Sequence, residues 1–354
     1  MIVKGLDRKK KRCILIIESS DDLWRLRRFI RTGDIITTRT SRVIKERGEF
    51  SRPDKGERIR VTIKLYVEQV FLDNTLERLR VRGKVLEASD ESVGKSGYHT
   101  FSITPGSTIY VEKEEWNDTD TKLIHVKEES KYLMIALDRR EAGIGILRGG
   151  HLFLIATIDS GASGKAFGEV DISSYIAKVA EITIKHSENM RIVVAGPGNT
   201  KSILANIIRK SGKDVEVVEG FDLTGADGVR GLIKFQAFKR IASSSTAVKL
   251  QTLVEEAINR ISNGDRRVAF SLENVREAAV LGAVDSCIVS DNVFRTASDE
   301  QLVVETLNII EQKGATVYVA DTSLEYGKQV SSFGGIIALL RYPFRAYGFN
   351  REMN

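Results

Sequence analysis

Three glycine-rich stretches invite a phosphate-binding reading, and each fails on spacing. Gly196-Pro197-Gly198-Asn199-Thr200-Lys201-Ser202 carries Lys-Ser after a tight turn. A P-loop needs G-x-x-x-x-G-K-[ST], and here Lys201 stands where the second glycine belongs. The stretch follows an apolar strand and opens a helix, so weak anion binding at that helix N-terminus is physically allowed, but Gly196, Pro197 and Gly198 are assigned to the turn. Gly143–Gly149 misses G-x-G-x-x-G by one position and lies inside a strand pattern, and Asp159–Lys165 lacks both the spacing and a hydroxyl after the lysine. The four histidines, His99, His125, His151 and His186, show no H-x-x-x-H spacing, which argues against a structural zinc site. His99, between Tyr98 and Thr100, reads as a hydrogen-bonded strand residue, and no nucleophile elbow is present.

Carboxylates cluster at Glu18, Asp21 and Asp22, beside a basic segment. Converging acids could hold a divalent cation for RNA hydrolysis. The spacing favours a structural role instead, because Asp21 and Asp22 fall in the first turn of a helix, where negative charge suits the helix dipole.

The elements that must carry these residues fall into three segments. Residues 1–126 read as mostly β, with strands at 13–17, 35–43, 59–67, 79–85, 98–103 and 107–111 and one helix at 21–30. Ile59, Val61, Ile63, Leu65 and Val67 alternate with Arg60, Thr62, Lys64 and Tyr66, which predicts a strand with one wet face. Many short strands with one helix suggest a small barrel, and the charged stretch 112–129 reads as a linker. Residues 131–246 open with a three-strand meander and continue with a helix at 172–186, a strand at 192–195, a helix at 201–211 and a strand at 215–218. Residues 254–354, preceded by a helix over 247–261, alternate helix and strand as an α/β/α layer. The whole is a multidomain α+β chain with no internal repeat.

Composition narrows the partners. The chain has 354 residues, 42% of them hydrophobic and 29% charged, which fits folded domains and argues against disorder. No apolar run approaches the roughly 20 residues a bilayer requires, and the start, Met1-Ile2-Val3-Lys4, lacks the apolar core of a signal peptide. Two cysteines, Cys13 and Cys287, are too few for a disulfide framework. These features point to a cytoplasmic setting away from membranes. The net charge of +6 is uneven: residues 1–60 carry 18 Lys and Arg against 9 Asp and Glu, while the other 294 residues carry 36 against 39. A basic block on one module is the footprint of a polyanion.

Several segments resemble the Pelota family. They are Glu18–Leu26, Gly33-Asp34 and Thr38–Arg42; then Gly97–Thr100, and Ala195–Gly198 with Thr200-Lys201; then Asn274-Val275, Gly282–Asp285, Gly327–Gln329, Gly334–Ile336 and Leu340–Tyr342. No single motif is decisive, but the set is ordered along the whole chain. The resemblance implies an Sm-like β-barrel domain over 1–126, an RNase-H-like α/β domain over 131–246 and a ribosomal-protein-like α/β/α domain over 254–354, the last two shared with class-one release factors. It implies a factor that enters the A site of stalled ribosomes, meets ribosomal RNA and message, and promotes subunit dissociation in no-go and non-stop mRNA surveillance. A translational GTPase of the elongation-factor type, docking on the third domain, and an ABC-type recycling ATPase are the implied partners, with the chain a monomer and no cofactor required.

Release factors use Gly-Gly-Gln to hydrolyse peptidyl-tRNA. This sequence has none; its nearest lookalike, Gly149-Gly150-His151, falls in a predicted hairpin turn, and the loop over 159–168 stands where the motif is expected. Peptide release is therefore rejected. The resemblance also keeps open a second activity, a divalent-metal-dependent endoribonuclease in the first domain, for which Glu18, Asp21 and Asp22 are the candidate residues. For RNA contact the segment 33–42 is the best candidate. Arg31, Arg39 and Arg42 would meet phosphates and Thr38, Thr40 and Ser41 the 2′-hydroxyls, while Gly33 and Asp34 serve the turn.

Overall fold

The structure is a computed structural model of the chain and describes residues 1–44, 57–73, 78–90, 97–125, 130–161 and 172–344. The chain folds into two compact units, Met1–Lys127 with Phe294–Gln312, and Glu128–Val293 with Lys313–Asn354.

The first unit opens with β1 (Ile2–Asp7), β2 (Arg12–Ile16) and α1 (Ser20–Phe29), continues with β3 (Ile35–Ile44), β4 (Glu57–Asp73), β5 (Arg78–Ala88), β6 (Tyr98–Ile103) and β7 (Thr108–Glu112), and closes this part with α2 (Asp118–Ile124). Among the described residues its seven strands form one antiparallel sheet, ordered β1-β2-β7-β3-β4-β5-β6. The period-2 pattern drives this arrangement. Leu15, Ile36, Val61, Ile63, Leu65, Leu79, Val81, Phe101, Ile109 and Val111 bury one face against Leu23, Leu26 and Phe29 of α1 and Ile30, its C-cap.

The stretch 112–129, expected to be a linker, contains α2. Its charges conceal a capping box: Asn117 Oδ1 accepts from the Asp120 N–H at 2.9 Å, and Asp120 Oδ2 accepts from the Asn117 N–H at 2.9 Å. Leu123 and Ile124 then join the core. Cys13 belongs to the same core, and burial pushes its thiol up to about 12, with Lys113 acting the other way. The thiolate is the reactive form. Cys13 should therefore resist iodoacetamide at pH 8 in the folded chain and react once the chain is unfolded in guanidinium; fast labelling of folded protein, read by mass spectrometry, would contradict this burial.

The second unit starts with a meander, β8 (Lys131–Leu137), β9 (Glu141–Arg148) and β10 (His151–Asp159), followed by α3 (Ser173–His186), β11 (Arg191–Ala195), α4 (Thr200–Lys210) and β12 (Val215–Val218). Five strands form a mixed sheet, β10-β9-β8-β11-β12, antiparallel on one side of β8 and parallel on the other. From Tyr132 to Leu137 β8 is buried and free of charge because both its faces are covered. Leu133, Ile135 and Leu137 share a core with Ile176 and Val179 of α3 and Leu204 and Ile208 of α4. Tyr132, Met134 and Ala136 share another with Val229 and Leu232 of α5 (Gly225–Leu232). α5 and the short α6 (Gln236–Ile241) were not expected from the sequence, whose glycines at 225, 228 and 231 weaken a helical pattern.

α7 (Thr246–Ser262) leads into β13 (Val268–Phe270), α8 (Leu272–Val280) and β14 (Val284–Ser290). α9 (Val293–Thr296) and α10 (Glu300–Gln312) follow, and Phe294–Gln312 belongs to the first unit. β15 (Thr316–Ala320), α11 (Glu325–Ser332) and β16 (Ile336–Leu340) complete a four-stranded sheet, β13-β16-β14-β15, in which β14 and β15 run parallel. Among the described residues, three sheets with their helices make a multidomain α+β architecture.

Candidate nucleic-acid interface

The first unit turns the polar face of its sheet outward. On β4 the residues opposite the buried set are Arg60, Thr62, Lys64 and Tyr66; on β5 they include Arg82 and Lys84; on β6, Tyr98 and Thr100; on β7, Tyr110. Tyr98 is 60% exposed, Tyr110 51% and Tyr66 41%. These three rings leave aromatic surface in solvent on one face of the sheet.

Strand register brings these residues together. Tyr66 pairs with Lys84, and Lys84 with Tyr98, so an aromatic, a cation and an aromatic lie side by side across three strands. Cross-strand neighbours stand about 4.5–5.5 Å apart at Cβ. The Arg82 guanidinium lies over the Tyr98 ring, 5.6 Å from its centre. On the other side of β4, Thr37 pairs with both Lys64 and Tyr110, and Arg39 with Thr62. Glu112 offsets part of the charge, meeting Arg12 at 3.0 Å and Lys64 at 3.2 Å. A face of flat rings interleaved with cations can stack bases and meet phosphates with little sequence preference.

A bulge beneath this face depends on one glycine. The β4–β5 register shifts between Val67 and Gln69, and Gly83 lies so close to β4 that a Cβ on it would stand 1.9 Å from the Tyr66 carbonyl oxygen. Since the obstacle is backbone, Gly83→Ala must move a strand. It should destabilise the first unit by about 2–3 kcal/mol and displace Tyr66. Urea denaturation of the full chain measures this, and an unchanged midpoint would contradict it.

The residues expected to touch RNA do not act as one set. β3 is a strand, so successive side chains alternate between faces. Arg39 points outward and is exposed. Thr38 is turned inward, 8% exposed, and its Oγ1 donates to the Thr108 carbonyl at 2.8 Å, which removes it from the candidate contacts. Thr40 is half-buried. Ser41 and Arg42 fall within β3, but their side chains, like residues 45–56 beyond them, lie outside the described residues. Arg31 is held by Asp120 at 2.8 Å instead of being free for phosphate.

Part of the basic excess of residues 1–60 is likewise spent inside the unit. Arg27 pairs with Glu300, and Arg28 meets Glu311 at 2.6 Å and Asn308 at 3.0 Å; both arginines are buried.

Gly33 and Asp34 build the turn that launches β3. Gly33 has φ +96°, a conformation other residues rarely adopt, and its N–H donates to the Val67 carbonyl at 2.9 Å. Asp34 is buried and accepts from the Arg31 N–H at 2.9 Å and from Lys113 Nζ at 2.8 Å. Lys113 is itself buried, donating also to the Phe29 carbonyl, with Asp120 at 3.8 Å and the Phe29 ring centre at 4.4 Å. The Asp120 carboxyl is pushed up, chiefly by burial, with Lys113 pulling the other way.

Two of the three acids considered for a metal surround the α-ammonium of Met1: Glu18 at 2.8 Å and Asp22 at 2.7 Å. Asp22 Oδ2 also accepts from the Glu18 and Ser19 N–H groups, at 2.8 and 3.2 Å, which caps α1. Asp21 lies in the first helical turn.

In the second unit, Gly196, Pro197 and Gly198 form the turn between β11 and α4. Lys201 folds back onto it, donating to the Gly196 and Gly198 carbonyls at 3.1 and 3.0 Å and pairing with Glu219 at 3.0 Å. The lysine is thus occupied in closing the loop. Gly149 and Gly150 are buried in the β9–β10 turn, where Tyr326 donates to the Gly150 carbonyl at 2.7 Å. Of the loop over 159–168, residues 162–168 lie outside the described residues.

Residues 1–128 match the Pelota N-terminal domain, and residues 247–344 match eRF1 domain 3. The chain is 36% identical to the protein pelota homolog of Nitrosopumilus maritimus over 98% of its own length and 100% of that protein. It is 33% identical to that of Cenarchaeum symbiosum, over 93% and 96%. Among solved structures it is similar in fold to the Thermoplasma acidophilum Pelota protein, with a TM-score of 0.67 at 24% identity, covering 97% of this chain and 100% of that one. Kinship along the entire length, carried by both terminal domains in order, leads to one conclusion: the chain belongs to the Pelota family.

Proposed function

We propose that this protein is a ribosome-rescue factor. It enters the A site of ribosomes stalled on damaged or truncated messages and promotes subunit dissociation, in the service of no-go and non-stop mRNA surveillance, leaving peptidyl-tRNA intact. Family membership supplies the setting. The observation that carries the RNA contact is the outward row Tyr66–Lys84–Tyr98 with Arg82 over Tyr98. Arg39, whose side chain is exposed, is placed to add a phosphate contact.

The absence of Gly-Gly-Gln from the sequence, and the burial of Gly149-Gly150 in a turn, support a factor that does not hydrolyse the peptidyl ester. In this reading the protein acts as a monomer in the cytoplasm and needs no cofactor for rescue. It works with a translational GTPase, docked on residues 254–354, and with an ABC-type recycling ATPase. No helix among the described residues is long and apolar enough to cross a membrane.

A divalent-metal endoribonuclease in the first unit is not favoured, because Glu18 and Asp22 are engaged by the Met1 ammonium and by backbone N–H groups. Such an activity would need a divalent cation at acids that already have partners.

The test is a splitting assay. Ribosomes stalled on a truncated message are mixed with the protein, its GTPase and the recycling ATPase, then resolved on a sucrose gradient. Free subunits with the peptidyl-tRNA ester intact are expected. Unsplit ribosomes, or released peptide, would overturn the reading.

A further inference from the structure

Two aspartates occupy equivalent places at the carboxyl ends of adjacent parallel strands. Ser290 at the end of β14 and Ala320 at the end of β15 are register partners, so Asp291 and Asp321 leave the sheet side by side. The Asp291 N–H donates to the Ala320 carbonyl at 3.0 Å. Open α/β sheets bind their ligands just beyond the carboxyl ends of their strands.

The β9–β10 turn delivers a third group to the same place. Tyr326 anchors it through the Gly150 carbonyl, and the Leu152 N–H donates to Asp321 Oδ2 at 3.1 Å. His151, between them, has its Nδ1 3.8 Å from Asp321 Oδ2. One donor atom from each of His151, Asp291 and Asp321 lies within 4.8 Å of the others. All three residues belong to the second unit.

Neighbours orient the two carboxylates. Asp291 Oδ1 accepts from Thr322 Oγ1 at 2.8 Å and from the Thr322 N–H at 3.3 Å, and Asp321 Oδ1 accepts from the Ser323 N–H at 2.7 Å. Hydrogen bonds of this kind hold metal ligands in position. Asp321 is buried and Asp291 half-buried. Bringing two carboxylates together with little water is unfavourable unless positive charge joins them.

We propose that His151, Asp291 and Asp321 form a binding site for a divalent transition-metal ion of the zinc or manganese class. One imidazole nitrogen with two carboxylate oxygens suits such ions better than magnesium or calcium, which favour oxygen alone. Donor atoms around a tetrahedral zinc ion stand about 3.4 Å apart, so the 3.8 Å between His151 and Asp321 closes with a small side-chain shift. Three protein ligands leave a coordination position for water. The ion would tie the tip of the β9–β10 hairpin to the ends of β14 and β15. Sequence spacing concealed the site, since His151 is 140 residues from Asp291 and 170 from Asp321.

The experiment uses the full chain without an affinity tag, stripped with chelator and dialysed against Zn2+ or Mn2+. Metal bound is counted by plasma mass spectrometry, and the melting temperature is read with and without the ion. One ion per chain and a metal-dependent rise in melting temperature are expected. Asp291→Asn and His151→Gln should each weaken binding roughly 10-fold or more and abolish the rise. Should either variant fold poorly, Co2+ added to the wild type gives an independent reading: a visible d–d spectrum that chelator reverses. Stripped wild type that binds neither ion, or variants that bind as the wild type does, would overturn the site. None of these readouts involves ribosomes, so they stand or fall apart from the rescue reading.

Discussion

Lys113→Met lowers the stability of the first unit by about 3–5 kcal/mol, seen as a fall of about 10–20 °C in the melting transition assigned to it. The substitution keeps the apolar stem and removes only the ammonium. Lys113 is buried between Asp34, at 2.8 Å, and Asp120, at 3.8 Å. Without it Asp34 loses its cation and Asp120 keeps only Arg31, at 2.8 Å, in a place with little water, which costs more than the pair contributes when intact. The deficit carries a pH signature. The Asp120 carboxyl already lies above its ordinary 3.8, pushed chiefly by burial and restrained first by Lys113. An acid whose folded value is raised destabilises the fold when ionised; this penalty begins to lift as pH falls through the folded value and is gone below the ordinary one. Losing Lys113 raises the carboxyl further. The deficit of the variant is therefore largest at neutral pH and shrinks as acid protonates Asp120. Adding Asp34→Asn and Asp120→Asn to Lys113→Met should recover most of the loss. Scanning calorimetry of the full chain at neutral and mildly acidic pH measures all of this; a loss below about 1 kcal/mol would mean that the lysine is not the counter-charge of the turn.

Tyr98→Ala weakens binding of a single-stranded RNA oligomer about 5- to 150-fold, from a stacking contribution of about 1–3 kcal/mol per base. Tyr98 is the most exposed ring of the face and stands beside Lys84 and beneath Arg82. Lys84→Ala acts differently. It removes a phosphate contact, so affinity falls at low salt and the slope of log K against log salt flattens by about 0.7. Fluorescence anisotropy at several salt concentrations separates the two. Equal affinity of Tyr98→Ala and wild type would show that RNA does not use this face. Thr38→Val, at a position turned inward, should leave RNA affinity unchanged.

Strand periodicity made much of this legible in advance. β6 falls at 98–103 as expected, and the wet face of β4 was visible in the alternation Arg60, Thr62, Lys64, Tyr66. What periodicity does not reveal is which neighbouring strand supplies the next residue. The row Tyr66–Lys84–Tyr98 depends on a register set by two bulges between β4 and β5. For the same reason a run such as Thr38–Arg42 looked like one contact surface, although a strand divides it between two faces.

Charge counting misled in a different way. Arg27, Arg28 and Arg31 added to the basic excess, but ion pairs with Glu300, Glu311 and Asp120 consume them, and those acids lie far away in sequence. α2 was hidden by its charges, yet Asn117 and Asp120 at capping-box spacing were a readable signal. β1 (Ile2–Asp7) has too little alternation to stand out, and its pairing with β2 makes it a strand.

In the proposed function, the outward face of the seven-stranded sheet is the contact with the ribosome. Sedimentation of ribosomes stalled on a truncated message, with wild-type protein and with Lys84→Ala/Tyr98→Ala, tests it most directly. Wild type is expected to pellet with the ribosomes at physiological salt, and the double variant, equally folded, to stay in the supernatant. Equal pelleting of the two would contradict it and place the contact on another surface.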